Sequence, residues 1–190
     1  MDLALNDEAF VDILYHTLFD REPDEGGKTY WLSKLQGGTL RDMLLYGFLL
    51  SQEFTDLAES FSVIAFNEND NALYQIKFFV VRFYQRCLQR NPEVGGYNYW
   101  TEKLHNKSLS ASEIAINFFF SAEFINYQHN DNTFINITYQ TLLNRNAEPA
   151  GKTYWLCQLA SGLTRLEMIN SFINSPEFAA LAKSYGIRVD

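Results

Sequence analysis

"REPDEGGKTYWLSKL", Arg21 to Leu35, sets acidic side chains beside a double glycine and then an aromatic pair. Met once, it reads equally as a metal or substrate loop or as the turn between two helices. The pattern returns as "RNPEVGGYNYWTEKL" from Arg90 and "RNAEPAGKTYWLCQL" from Arg145. A period of this length is the mark of a repeat architecture, so the stretch is one part of a unit present three times.

Working outward from each copy, the units open at Phe10, Phe79 and Phe134 and close at Phe54, Phe124 and Phe178. Between them Tyr15, Tyr84 and Tyr139 match, as do Arg21, Arg90 and Arg145, and Gly27, Gly96 and Gly151. The pairs Tyr30-Trp31, Tyr99-Trp100 and Tyr154-Trp155 also match, so Trp31, Trp100 and Trp155 share one repeat position.

Apolar spacing predicts a first helix in each unit, through Phe10, Ile13, Leu14 and Leu18 and their counterparts. A second helix carries the Tyr-Trp pair and ends around Gly37-Gly38, Asn106 and Gly162. A third opens on Thr39-x-x-Asp42, Ser110-x-x-Glu113 or Thr164-x-x-Glu167, which read as capping boxes. "SQEF", "SAEF" and "SPEF" start a short fourth helix, with Ser175 as N-cap and Pro176 at the first helical position. Nothing alternates as a strand does. The expected fold is all-α: three tandem, roughly four-helix units at 1–66, 67–128 and 129–190, packed as one helical array. Asn71 is expected to cap the helix after a soft joint near Asn67 to Asn71.

Asp20, Glu22 and Asp24 alternate like the first ligands of an EF-hand loop. Such a loop needs glycine at its sixth position and an acid at its twelfth, where this one has Glu25 and Trp31. The loop therefore reads as punctuation before the second helix. A glycine in a first helical turn lowers helix propensity, so Gly27, Gly96 and Gly151 imply close approach of another helix or of the tryptophan ring. Arg21, Arg90 and Arg145 are expected either to pair with Glu53, Glu123 and Glu177 in the same unit or to bind helix-end carbonyls. The tryptophans read as core. Tyr30, Tyr99 and Tyr154, about 100° further round the helix, are the binding candidates.

The 190 residues carry a net charge of −8, with 47% hydrophobic and 16% aromatic residues. This balance predicts a globular chain that repels nucleic-acid backbones, and no apolar run reaches the roughly 20 residues of a membrane span. Cys87 and Cys157 lack the spacing of a redox or zinc site and read as buried free thiols. The three histidines fall at unrelated repeat positions, and no nucleotide-binding or nucleophile motif occurs. No cofactor, metal or catalytic residue is expected, and the N-terminus shows no secretory signal pattern. Acidic helical surfaces with spare aromatics permit a homo-oligomer.

The pattern F-V-x-x-x-Y-x-x-x-L-x-R-x-P-D-x-x-G-x-x-Y-W-x-x-x-L-x-x-G…S-x-E-F resembles the bacterial domain-of-unknown-function family numbered 4214, in three copies. The units are also distantly similar to phycobilisome linker domains. The resemblance implies a non-catalytic helical interaction or assembly module of a secreted or cell-surface bacterial protein, binding a protein partner or surface glycan. The alternatives are a carbohydrate-binding module using the Tyr-Trp pairs, or an accessory domain of a carbohydrate-active enzyme.

Overall fold

The computed structural model describes residues 5–63, 65 and 68–190. They form helices α1 (Asp7–Phe19), α2 (Glu25–Gln36), α3 (Arg41–Leu49), α4 (Gln52–Ser60) and α5 (Glu68–Arg82). The last runs into a π-helical turn, Phe83–Cys87, and is followed by α6 (Val94–His105), α7 (Ala111–Phe119) and α8 (Ala122–Asn126). α9 (Asp131–Leu142), α10 (Pro149–Ala160), α11 (Arg165–Ile173) and α12 (Pro176–Ser184) complete the chain. No strand occurs among the described residues. The fold is an all-α repeat array.

The chain divides into two compact units, Met1–Tyr74 and Gln75–Asp190, with the division inside α5. The first holds repeat 1. Its core is Val11, Leu14, Tyr15, Leu44 and Phe48, against which Trp31, Leu32 and Leu35 pack from α2. The second holds repeats 2 and 3 together, around Phe79, Phe83, Phe119, Phe134 and Phe178. Burying a phenylalanine contributes roughly 1.5–3 kcal/mol, so these five rings together supply on the order of 10 kcal/mol of that unit's apolar stabilisation.

Helix starts follow local chemistry. Ser51, Ser121 and Ser175 each accept a backbone N–H at the head of the fourth helix, and Pro176 follows at its first position. Ser110 and Thr164 form complete capping boxes with Glu113 and Glu167. The first repeat differs from the expected pattern. Its third helix is capped by Leu40 with no side-chain bond, and Asp42 accepts from the Met43 N–H at 2.9 Å. The cause is Arg41, whose guanidinium holds Asp7 at 2.8 Å and the Leu5 carbonyl. Arg165 holds Asp131 and the His129 carbonyl in the same way, so Arg41 takes the register of Arg165 and Thr39 falls outside the cap. Asn71 is not a cap either, because α5 already begins at Glu68. Asn67, in the expected joint, lies outside the described residues. Of the cysteines, Cys87 is buried, whereas Cys157 is exposed because it faces outward on α10.

Candidate functional site

Each repeat joins the end of its first helix to the start of its fourth through one arginine. Arg21 donates from Nε and Nη2 to the two carboxylate oxygens of Glu53 at 2.6 and 3.0 Å. Arg90 and Glu123 do the same at 2.6 and 2.9 Å, and Arg145 and Glu177 at 2.6 and 3.0 Å. The remaining Nη1 donates to the next residue's carbonyl and to Asp24, Glu93 or Glu148 at the head of the second helix. One guanidinium thus ties three elements, in the planar two-pronged geometry that suits arginine. Its bond to Arg90 holds the Glu123 carboxyl below the usual glutamate range, and Arg145 does this for Glu177.

Above each guanidinium lies a tyrosine ring, with centroids 4.8 Å away for Tyr15 and 5.0 Å for Tyr84 and Tyr139. These rings meet Phe48, Phe118 and Phe172 edge-on at 5.1, 5.0 and 4.9 Å. Trp31, Trp100 and Trp155 lie against the same phenylalanines at 4.7, 5.3 and 5.2 Å, and all three are half-buried.

The repeated glycines answer to the tyrosine hydroxyl. A Cβ on Gly27, Gly96 or Gly151 would collide with the oxygen of Tyr15, Tyr84 or Tyr139, and no tryptophan atom is among its nearest neighbours. The close approach is that of the first helix of the repeat, through its tyrosine, so the expectation of another helix holds and that of the tryptophan ring is corrected. Trp31 presses instead on Gly47 in α3, where a Cβ would come within 2.8 Å of the ring.

The acidic positions of the opening loop have separate duties. Asp20 takes the left-handed conformation, φ 52°, at the end of α1, and Gln89 and Asn144 repeat it at 52° and 53°. Glu22 lies 3.3 Å from His16, and Asp24 caps α2 through the Gly27 N–H at 2.8 Å. Among the described residues no three metal-ligating side chains converge. The left-handed turns were not read from the sequence; the only signal is the Asp/Gln/Asn series just before each arginine, and glutamine breaks it.

Tyr30, Tyr99 and Tyr154 remain outward, with 51%, 51% and 55% of their surface exposed. Each stands edge-on to its neighbouring tryptophan at 4.9–5.0 Å. Lys34 and Lys103 lie 5.1 and 5.6 Å from the first two rings, one helical turn along, where repeat 3 has Gln158. The structure therefore gathers the arginine, glutamate, glycine and tryptophan positions into one intrarepeat cluster. The outward tyrosines each stay on their own second helix.

A family model matches residues 3–58, 65–129 and 126–182, one copy per repeat. The chain belongs to that family, Domain of unknown function (DUF4214). No curated protein and no solved structure matches the chain. The three DUF4214 copies account for the shared positions, and no helix of the described residues is long and apolar enough to cross a membrane.

Proposed function

We propose that this chain is a non-catalytic helical interaction and assembly module of a bacterial secreted or cell-surface protein, which binds a protein partner or a surface polysaccharide. The supporting observation is how the repeated residues are used. Arginine, glutamate and glycine positions are taken up inside each repeat, while one aromatic position stays half exposed in all three. A repeated outward tyrosine suits a surface that is recognised several times over better than one asymmetric reaction centre. It also supplies amphipathic contact area at little cost in side-chain ordering.

A carbohydrate ligand is the second reading. It is favoured by Tyr30 and Tyr99, where an exposed ring stands beside a lysine that can donate to sugar hydroxyls. The test compares the wild-type chain with the triple variant Tyr30→Ser, Tyr99→Ser, Tyr154→Ser. Both are immobilised against surface extract and culture medium and are also applied to a glycan array. Retention by the wild type and loss by the variant, with unchanged circular dichroism, supports the reading. Equal retention by both, or none by either, sinks it.

A further inference from the structure

We propose that repeat 1 is a dimerisation surface whose occupant is repeat 1 of a second copy of this chain, docked as repeat 3 docks on repeat 2. This face is separate from the tyrosine surface and stands whether or not those tyrosines bind anything.

The argument begins inside the second unit. There the first helices of the two repeats, the π-helical turn and α9, pack on each other, and so do the third helices, α7 and α11. One repeat position also serves both sides of this contact. Phe79 in repeat 2 lies 5.7 Å from Tyr185 at the end of repeat 3. Phe134, its counterpart in repeat 3, lies 5.9 Å from Phe119 in repeat 2. The same residue position faces the neighbouring repeat from both sides, though it meets Tyr185 on one and Phe119 on the other, and with like helices packed on like this follows the pattern of a two-fold interface. A translational stack would use different positions on its front and back.

Among the described residues, repeat 1 exposes apolar side chains at the positions of this face. Ile13 is 43% exposed, whereas Ile137 and Arg82 at its position are 5% and 7% exposed. The end of the repeat repeats the contrast. Val63 donates its N–H to the Ala58 carbonyl across a left-handed Ser62, just as Ile187 donates to Ala182 across a left-handed Gly186. The two β-branched side chains are thus set by the same turn, yet Val63 is 58% exposed and Ile187 4%. Phe61, at the position of Tyr185, is 73% exposed. Solvent-facing surface has no need of apolar residues at all three places, and exposed apolar side chains at the positions that repeat 3 buries point to an interaction site.

The occupant follows from the second unit, where this face is covered by the same face of another repeat. A self-complementary surface closes with two copies, so a symmetric dimer through α1 and α3 satisfies it.

The test is sedimentation equilibrium and light scattering on the full chain over a concentration series, with Ile13→Glu and, as an off-face control, Val94→Glu. Val94 is 76% and Ile13 43% exposed, so a glutamate at either place reaches solvent in the monomer, and circular dichroism checks that both variants are folded. The expected result is a dimer of the 22.0 kDa chain. Val94→Glu leaves it unchanged, and Ile13→Glu weakens it by about 100-fold or more, since the two-fold brings the new carboxylate in from both sides and each tenfold is about 1.4 kcal/mol. Hydrogen exchange at α1 slows on dimerisation. A wild-type monomer at every concentration overturns the proposal. So does a dimer indifferent to Ile13→Glu, or one that Val94→Glu disrupts equally.

Discussion

Gly151→Ala tests the link between the repeated glycine and the repeated tyrosine. An added Cβ would collide with the Tyr139 hydroxyl and come within 3.0 Å of Glu148 Oε1. Glu148 is exposed and swings aside; Tyr139 is 5% exposed and is held edge-on against Phe172. Overpacking of this kind costs about 1–3 kcal/mol, against which alanine recovers up to about 1 kcal/mol of helix propensity. The net expectation for the single variant is a loss of about 1–2 kcal/mol. Tyr139→Phe alone removes one hydroxyl and costs about 1 kcal/mol. In the double variant the obstructing oxygen is gone and alanine's helix preference is recovered, so the total loss falls below about 0.5 kcal/mol. The coupling is therefore about 2 kcal/mol, equivalent to roughly 6–12 °C in Tm for a unit of this size. Urea unfolding followed by far-UV circular dichroism on the four proteins of the cycle measures it. Strict additivity, or a Gly151→Ala variant as stable as wild type, refutes the reasoning.

Three further outcomes are expected. Arg82 is 7% exposed between the rings of Phe79 and Tyr185, and its Nε and Nη2 have no partner among the described residues. Its Nη1 donates only a long 3.4 Å bond to the Tyr185 hydroxyl. Burying a charge without an ionic partner costs several kcal/mol, more than the ~2 kcal/mol of ring attraction returns, so Arg82→Met stabilises the protein by about 1 kcal/mol, read as a higher urea midpoint; a lowered midpoint refutes this. Gln89 holds φ 52°, a conformation that costs a non-glycine residue roughly 1 kcal/mol, so Gln89→Gly raises Tm, and a fall shows that its side chain contributes more than the strain removes. The carboxyls of Glu123 and Glu177 are held below the ordinary glutamate value of 4.5, chiefly by Arg90 and Arg145. Because their folded pKa is depressed, their contribution is complete above 4.5 and is lost as pH falls below it. Glu123→Gln with Glu177→Gln therefore flattens the fall in stability below that pH, and an unchanged acid profile refutes the assignment.

The all-α fold and its repeats were legible because each unit states its helix starts in side-chain chemistry. Ser110 with Glu113, Thr164 with Glu167 and Ser175 with Pro176 mark boundaries that the structure keeps. Thr39 misled because a cap motif carries only local information, whereas the register of α3 is set by Arg41 reaching Asp7, 34 residues away. The glycine's neighbour was illegible for a related reason: spacing shows that something comes close, but not which ring of an aromatic-rich core it is. The candidate surface was legible only as three tyrosines offset from three tryptophans. The exposed apolar face on α1 was not legible, because Ile13 and Ile137 look alike until their burial is compared.

The like-with-like packing of repeats 2 and 3 governs how such a protein can grow. A translational solenoid extends one repeat at a time and is never complete. Two-fold pairing instead gives each repeat a single valence for this face, which its partner saturates. Chains with an even number of repeats can be closed beads, and added pairs lengthen them without making them sticky. Wherever repeats pair two by two, an odd repeat leaves this face to some other partner, so gain or loss of a single repeat during gene duplication would switch such a molecule between self-contained and self-associating forms without altering one contact residue.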